Sequence, residues 1–511
     1  MRKTITRPLF PWLIAALLLS ACQAATKSAP PQETPQAELI EPLQASWDDR
    51  TIFQNGLIAS QRPILEQLPA ASVYHIELEI EADLVHVTGR EELRYTNQEG
   101  VPLDELVFHL YPNILGGALT IAALSVDGQP AAPSYALANS LMRVPLAPPL
   151  EAGGQVLVRM EFAVTAPTEA EANYGVLASS EGVLTLAHFY PLMAVYDEQG
   201  WSDAAPSPYG DLTYADAGFY LVKVTAPEHL VLVASGSEVG RKASAKNQVV
   251  AFAAGPGRDF YLAASKDYVK QTETVGEVTL NSYAPENLRE GAQLALQAAR
   301  RALEIFNERY GAYPYTEFDL AAAPILALGV EYPGMTTLNA ALYDPDESFN
   351  GTPASIYLEA TAAHEVGHQW FYNMVGSDQL NEPWLDESLT QYVTWQYYED
   401  AYGAAGAAGF RQSLEGRWQS VERAEIPIGL PVSAYEDNEY ASIVYGRGAF
   451  FFEALAQQMG AAAFDEFMKD YAQRYQWGIA SGEALKGLAE EHCACDLTPL
   501  FQEWVYPSPS Q

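Results

Sequence analysis

Residues 364–368, which read His-Glu-Val-Gly-His, are the residues of this 511-residue chain best suited to chemistry. Side chains four apart on a helix lie on one face, so His364 and His368 can both reach a single ion. Glu365 lies one residue along, beside that ion rather than on it. No proline interrupts residues 356–371, so one helix can carry the whole motif. The spacing predicts a metal site with a free carboxylate next to it.

Glu387, within Asn-Glu-Pro-Trp-Leu-Asp-Glu-Ser at 381–388, follows His368 after eighteen residues. This length allows the first helix to end, the chain to turn near 376–378, and a second helix to begin. Two imidazoles and one carboxylate leave the fourth tetrahedral position to water, which is typical of a catalytic zinc site. We therefore expect one zinc ion per chain, with His364, His368 and Glu387 as its ligands.

Four elements in this order resemble peptidase family M1, the gluzincin aminopeptidases related to aminopeptidase N and leukotriene-A hydrolase. The first two are the zinc motif and the segment Trp-Leu-Asp-Glu-Ser at 384–388, where the family usually has Trp-Leu-Asn-Glu-Gly. Upstream, Gly-Val-Glu-Tyr-Pro-Gly-Met at 329–335 resembles the family's Gly-x-Met-Glu-Asn strand. Downstream, Tyr-Gly-Arg-Gly-Ala at 445–449 resembles its Tyr-x-Lys-Gly-Ala segment. The resemblance covers most of the chain.

The resemblance implies a role for each matched residue. Glu365 would be the general base, which takes a proton from water and later returns one to the leaving amine. Tyr445 would donate a hydrogen bond to the oxyanion on the side opposite the metal. Glu331, together with Gly329, would bind the substrate. Its carboxylate would pair with the protonated N-terminal amine and so measure one residue from that end.

Two departures from the family pattern concern substrate binding and packing. Tyr332 stands where the family has asparagine, and no residue of the N-terminal half can be matched to the glutamine that assists amine binding in many relatives. Arg447 replaces the usual lysine, and we expect it to have a packing or ion-pair role.

These residues predict a zinc-dependent aminopeptidase that removes N-terminal residues from peptides with free N-termini. An endopeptidase or related hydrolase of the same fold is the alternative, because Glu331 could be an ordinary solvated residue of a strand. A different class is a surface lipoprotein that binds peptides without turnover. A binding protein has no need of a base, so Glu365 favours an enzyme.

The first residues are typical of an export signal. A basic start precedes an apolar run at 13–19, which is too short for a confident membrane span. Leu-Ser-Ala-Cys at 19–22 resembles a bacterial lipobox. It predicts removal of residues 1–21 and lipidation of Cys22, which would anchor an exported protein to the cell envelope. A plain cleavable signal peptide with an incidental cysteine is the alternative.

Composition limits the partners of the chain. Residues 22–58 are predicted to be the lipidated cysteine and a flexible linker, because 23–43 is rich in Ala, Pro, Gln, Thr and Glu and has no aromatic residue. A net charge of −37 argues against nucleic acid and against electrostatic docking on an anionic membrane. The lipid would then be the membrane contact.

Cys493 and Cys495 could be two free thiols or a tight disulfide.

Residues 59–282 are predicted to form an antiparallel β domain. Apolar and charged residues alternate from 73 to 95. Similar runs recur at 106–110, 157–164, 220–224, 231–233, 249–252 and 260–263. The resemblance identifies this region as the N-terminal β-saddle domain, with Leu-Tyr-Pro-Asn at 110–113 as a matching segment.

Residues 283–511 are predicted to form the catalytic domain. An amphipathic helix over 291–310 precedes strands near 318–323 and 328–338, and the pattern is mainly helical from residue 355 onward. The resemblance implies a thermolysin-like zinc metallopeptidase domain, so we expect a multidomain α+β fold. The large C-terminal helical domain of longer relatives has no room before residue 511.

Overall fold

The computed structural model describes residues 39–507 apart from 205–209, 211, 213, 350 and 437. The predicted signal peptide, residues 1–21, and the predicted lipidation site Cys22 lie outside the described residues. Among the helices that are described, none is both long and apolar enough to cross a membrane.

The N-terminal part is built from strands in which buried and exposed residues alternate. Between Gln155 and Thr165 every second residue is buried. Successive side chains of a strand point to opposite faces, so this pattern gives one face to the core and the other to solvent. The strands are β1 (Val73–Ile80), β2 (His86–Thr96), β3 (Leu103–His109), β4 (Ala118–Val126), β5 (Gln129–Pro130), β6 (Ser134–Ala136), β7 (Leu141–Leu150), β8 (Gln155–Thr165), β9 (Leu177–Ser180), β10 (Val183–Leu186), β11 (Leu192–Met193), β12 (Tyr196–Asp197), β13 (Gly200–Trp201), β14 (Gly218–Pro227), β15 (Val231–Ala234), β16 (Ser237–Ala243), β17 (Asn247–Gly257) and β18 (Leu262–Ser265).

Three sheets make up most of this β domain. The largest has eight strands in the order β16-β17-β14-β1-β2-β8-β4-β5, and two four-stranded sheets have the orders β15-β18-β10-β9 and β11-β3-β7-β6. Neighbouring strands of these sheets are antiparallel except β1 and β14, which run parallel. The antiparallel domain expected from the sequence therefore contains one parallel pair.

The second part combines a small sheet with helices. A five-stranded sheet has the order β19-β20-β21-β23-β22. Its strands and a short hairpin are β19 (Tyr268–Val275), β20 (Val278–Pro285), β21 (Glu317–Ala323), β22 (Gly329–Tyr332), β23 (Met335–Asn339), β24 (Ser348–Phe349) and β25 (Thr352–Pro353). The α-helices of the described chain are α1 (Ile64–Gln67), α2 (Arg289–Tyr310), α3 (Ala354–Gly367), α4 (Glu387–Gln419), α5 (Glu439–Ser442), α6 (Gly448–Met459), α7 (Ala461–Arg474), α8 (Gly482–Cys493) and α9 (Thr498–Trp504). The α+β fold with an N-terminal β domain and a mainly helical second domain is confirmed.

The five-stranded sheet begins earlier than residue 283, where the sequence predicts the start of the catalytic domain. Strands β19 and β20 form a hairpin, and β20 pairs in parallel with β21. This hairpin therefore belongs to the five-stranded sheet, and the change of sheet falls just before Tyr268. The alternating pattern of residues 268–285 suits either sheet, because periodicity alone does not say which strand is the partner.

Residues 39–58 are packed, whereas the sequence assigned them to the end of a flexible linker over 22–58. Phe53 and Leu57 are buried in the core that α2 also lines. Trp47 stacks on His75 of strand β1 with ring centroids 4.0 Å apart. Aliphatic residues return to the sequence at residue 39 and aromatic residues at residue 47, and they supply the apolar surface that the linker composition lacks.

Helix α4 reverses direction within its length. Gly403 has φ 64° and ψ −160°, a backbone conformation essentially restricted to glycine. Tyr398 stacks on Phe410 with centroids 4.9 Å apart, so the residues after Gly403 run back along those before it. A straight helix would separate Glu387 and Arg417 by about 45 Å. The reversal instead returns Arg417 to the neighbourhood of the start of α4.

Near the C-terminal end of the described chain, Cys493 and Cys495 are joined by a disulfide. This is one of the two states that the sequence left open.

Candidate active site

Helix α3 carries the metal-binding motif into the interior of the second domain. His364 and Glu365 lie in its last turn and His368 follows its end, and all three are buried. Gly367 allows α4 to approach, because a Cβ there would lie 2.9 Å from a threonine methyl group of that helix. The close approach brings Glu387, the first residue of α4, to the two histidines.

Three ligand atoms converge at this helix crossing. Nε2 of His364 lies 3.0 Å from Nε2 of His368 and 3.1 Å from Oε2 of Glu387. The distance from His368 Nε2 to Glu387 Oε2 is 3.7 Å. Ligands bound to a tetrahedral zinc ion at about 2.0–2.2 Å stand about 3.3–3.6 Å from one another. The three separations scatter around that spacing, so the donor set fits a zinc ion with one position left over.

The second nitrogen of His368 fixes the orientation of its ring. Nδ1 donates a hydrogen bond to Oδ1 of Asp386 at 2.6 Å and lies 3.1 Å from the carbonyl oxygen of Phe371. The Nε2 lone pair is therefore presented to the other ligands. Burial, followed by the neighbouring His368, lowers the pKa of His364 well below its usual value. His364 is then neutral at pH 7, which is the form that binds a metal.

The charges around the ligands favour a cation. Glu331, Glu365, Asp386 and Glu387 are all buried within the same region. Burial alone would lower the pKa of His368, but the charges of Asp386, Glu331 and Glu387 outweigh it and raise that pKa well above its usual value. A surplus of negative charge thus surrounds the ligand atoms, and a divalent ion would neutralise it.

Gly329 lies directly against Glu365. A Cβ at residue 329 would overlap the Glu365 carboxylate and would lie 2.7 Å from Cγ2 of Thr361. Any side chain there would displace the carboxylate next to the ligands. The group of three ligands does not include Glu365. Glu365 lies next to His364 in the last turn of α3, and Gly329 provides the space that its carboxylate occupies.

Glu331 lies two residues beyond Gly329 on the edge strand β22, so the two residues face the same side of the five-stranded sheet. Its carboxylate is buried, and one of its oxygens lies within 4.8 Å of ligand atoms of His368 and Asp386. Oε1 accepts a hydrogen bond of 3.3 Å from Nε2 of Gln379. Glu331 is therefore part of the metal-site neighbourhood and is not a solvated strand residue.

Tyr445 lies on a π-helical turn, Ile443–Arg447, which leads into α6. The side chain is half-buried, and its ring centroid is 6.3 Å from that of His364. The turn is held against the start of α4, because Ser388 Oγ donates to the carbonyl oxygen of Val444 at 2.6 Å. Single π-helical turns are frequent at functional sites, because they redirect one side chain. Here the redirected side chain faces the metal ligands.

Two arginines lie at this turn, Arg447 as its last residue and Arg417 against the ring of Tyr445. Arg447 is buried, and its Nη1 donates to the carbonyl oxygens of Ile426 and Trp504, each at 3.0 Å. Its guanidinium also lies over the Trp504 ring at 4.4 Å, so its role is packing. Arg417, returned by the reversal of α4, has its guanidinium carbon 6.0 Å from the Tyr445 ring centroid.

Asp386, Gln379 and Arg417 are site residues that the sequence did not reveal. Asp386 stands in the zinc segment where the family usually has asparagine, and its position before Glu387 is a signal for a carboxylate that orients a ligand histidine. Gln379 lies in a turn whose path the sequence does not fix. Arg417 is thirty residues beyond Glu387 and returns only because of Gly403.

Fold and site together give a two-domain α+β protein with an HExxH candidate metal site at a helix crossing. Residues 294–504 match the model of the peptidase family M1 domain. Aminopeptidase M1 of Arabidopsis thaliana is 23% identical over 297 residues, which are 56% of this chain and 34% of the plant protein. Human endoplasmic reticulum aminopeptidase 1 is 26% identical over 241 residues, which are 45% of this chain and 25% of the human protein. The chain thus matches about a third or less of the length of these relatives.

Solved structures cover nearly the whole molecule. The M1 zinc metallopeptidase from Deinococcus radiodurans has a TM-score of 0.63 and 19% identity, over 86% of this chain and 94% of that chain. A mutant of that enzyme bound to a Tyr-Ser-Ala substrate has a TM-score of 0.63 and 19% identity, over 87% of this chain and 97% of that chain. At this identity the likeness establishes the shared fold.

Proposed function

We propose that this protein is a zinc-dependent aminopeptidase that hydrolyses the first peptide bond of peptides with a free N-terminus. The observation that carries the proposal is the position of Glu331, which has an oxygen within 4.8 Å of a ring nitrogen of His368 and of a carboxylate oxygen of Asp386. An N-terminal amine is two bonds away from the first carbonyl carbon of a peptide. A carboxylate this close to one candidate metal ligand can therefore hold the amine while the adjacent carbonyl reaches the position that the three ligands would give to a metal ion.

The side chains of the site divide the reaction between them. His364, His368 and Glu387 would hold one zinc ion, which supplies Lewis acidity to the scissile carbonyl and to water. Glu365 accepts the proton of the attacking water and transfers one to the leaving amine. The hydroxyl of Tyr445 donates to the carbonyl oxygen as negative charge develops there.

The relatives support the same substrate class. The plant and human relatives bear the name aminopeptidase, and the Deinococcus radiodurans mutant holds a Tyr-Ser-Ala tripeptide. An unblocked tripeptide offers the amine that Glu331 would bind. We infer that short unblocked peptides are the substrates.

The test compares aminoacyl fluorogenic substrates that carry free and acetylated N-termini. Acetylation removes the ammonium charge, so kcat/KM should fall about ten- to a hundredfold, the effect of losing one charged hydrogen bond. Treatment with a chelator should abolish the activity, and zinc should restore it.

Glu331→Gln supplies the matched change on the protein. With a free-amine substrate it should cause a loss similar to that caused by acetylation. The two changes should not add, because each removes the same contact. Equal cleavage of free and blocked peptides would favour the alternative endopeptidase. A zinc-loaded protein that binds peptides but cleaves none would favour a binding lipoprotein.

We further propose that the protein is an exported lipoprotein attached to the bacterial cell envelope through Cys22. The support is the sequence Leu-Ser-Ala-Cys at 19–22 after a short apolar run. Cys22→Ser should move the protein from the membrane fraction to the soluble exported fraction and leave its catalytic constants unchanged. Ser20→Thr, a change within the same segment that keeps the cysteine, serves as the control. Membrane association that survives Cys22→Ser would contradict the lipid anchor.

A further inference from the structure

Gln379 connects the carboxylate of Glu331 to the metal ligands. Its Nε2 donates to Oε1 of Glu331 at 3.3 Å and also makes a close hydrogen bond to Oδ2 of Asp386. The other oxygen of Asp386 accepts from Nδ1 of His368 at 2.6 Å. A continuous chain of hydrogen bonds therefore runs from Glu331 through one amide and one carboxylate to a ligand histidine.

The orientation of the amide follows from its partners. Ionised carboxylates only accept hydrogen bonds, so the amino group of Gln379 must face both Glu331 and Asp386. Each of its two N–H groups is then used once. The carbonyl oxygen is buried and has no hydrogen-bond partner among the described residues. Gln379 thus joins two negative groups without adding a charge of its own.

The turn that carries Gln379 is held from both sides. Oδ1 of Asp378 accepts from the backbone N–H groups of Leu380 and Asn381, each at 3.0 Å. The backbone of Gly376 pairs with that of Gly478, and the N–H of Val432 donates to the carbonyl oxygen of Leu380 at 2.9 Å. The backbone therefore holds the Gln379 amide in place, and the amide can hold the carboxylates of Glu331 and Asp386 in place.

We propose that Gln379 is a positioning residue that sets the distance between the amine-binding carboxylate of Glu331 and the metal ligands, and so restricts cleavage to the first peptide bond. The inference rests on the proposed aminopeptidase function. Without the bridging amide, two carboxylates that share a buried region would repel each other, and Glu331 would turn away from Asp386. Amine recognition would weaken, while the metal ligands and Glu365 would keep their places.

The test uses Gln379→Met, which keeps the length of the side chain and removes both donors. We expect KM for a free-amine substrate to rise about tenfold, with kcat falling less than threefold, because the lost contact acts on substrate binding. The preference for free over acetylated substrates should fall by about the same factor. Mass spectrometry of tetrapeptide digests should show dipeptides released beside single amino acids. Zinc content should stay at one ion per chain.

Three further arms separate positioning from a general structural role. Gln391→Met makes the same chemical change at another buried glutamine of the catalytic domain and should leave the preference unchanged. Gln379→Glu keeps the shape but replaces the amino group, which donates to both carboxylates, with an acceptor. It should therefore lower the preference at least as much as Gln379→Met, and it serves if that variant does not fold. In a Glu331→Gln background, Gln379→Met should have no further effect on the preference.

Binding provides a readout without turnover. In a Glu365→Gln background, calorimetry with a free tripeptide should show an affinity about tenfold weaker when Gln379→Met is added, and no change for the acetylated tripeptide. A Gln379→Met enzyme that discriminates free from acetylated substrates as well as the wild type does would overturn this inference alone. A wild-type enzyme without that preference would contradict the proposed function as well.

Discussion

Adjacent residues at the start of α4 serve the same metal site in different ways. Glu387 extends toward His364, while Asp386 accepts a hydrogen bond from the far nitrogen of His368. Consecutive residues at a helix start point in directions about 100° apart, so one can contact the ion while the other contacts a ligand. The two histidine ligands could be predicted from spacing, because positions i and i+4 lie on one face of a helix. The role of Asp386 could not be predicted from spacing, because it depends on the orientation of the His368 ring.

At the residue scale we predict the effect of Tyr445→Phe, which keeps the ring and removes the hydroxyl. Loss of one oxyanion donor should lower kcat about 10²–10³-fold. KM should change little, because the contact strengthens in the transition state. Tyr440, whose ring centroid lies 5.7 Å from that of Tyr445, provides the matched control. Equal losses from Tyr440→Phe and Tyr445→Phe would assign both hydroxyl groups to packing.

At the scale of elements, strands and amphipathic helices were predictable, but their partners were not. The helix expected over 291–310 is Arg289–Tyr310 in the structure. The alternating segment 73–95 forms the paired strands β1 and β2. In contrast, neither the turn of α4 at Gly403 nor the π-helical turn at Tyr445 leaves a periodic signal. Each is a local break in a helical stretch, and these breaks bring Arg417 and Tyr445 to the site.

Gly403→Ala tests the reversal of α4. A Cβ at this position meets no atom within 4 Å, so the cost is conformational alone. A non-glycine residue held in this backbone region costs on the order of 1–3 kcal/mol, and we expect the free energy of unfolding to fall by that amount.

Gly409→Ala is the matched control in the same helix, where a Cβ also meets no atom within 4 Å and the backbone is helical. It should raise the free energy of unfolding by about 0.5–1 kcal/mol, because alanine is the better helix former. Urea unfolding of both variants measures the difference. Effects of the same sign would show that Gly403 does not require its special conformation.

At the scale of the whole molecule, a buried arginine joins the two domains. Arg258 follows strand β17 of the β domain. Its Nε donates to the carbonyl oxygens of Tyr372 and Asn373 at 2.7 and 3.1 Å, and its Nη2 donates to that of Met374 at 3.3 Å. These acceptors lie in the segment that follows His368. The β domain therefore supports the loop next to the metal ligands, a connection that neither segment reveals in the sequence.

The position of Arg258 leaves no space for a side chain at Gly376. A Cβ at Gly376 would overlap the guanidinium of Arg258, which its hydrogen bonds prevent from moving away. Gly376→Ala should therefore lower the free energy of unfolding by about 1–3 kcal/mol through overpacking. Arg258→Ala should cost more than about 3 kcal/mol, because several buried carbonyl oxygens lose their donor. Urea unfolding of each variant gives both values.

The double variant decides whether the two effects have one origin. Once Arg258→Ala has removed the guanidinium, the methyl group of Gly376→Ala meets no obstacle there. The two costs should then fall short of additivity by about 0.5–3 kcal/mol, the range found for residues in contact. Strict additivity would mean that Gly376 is required for another reason. A sub-additive result would show that Arg258 and Gly376 share one contact. That contact joins the end of strand β17 in the β domain to the segment that follows His368.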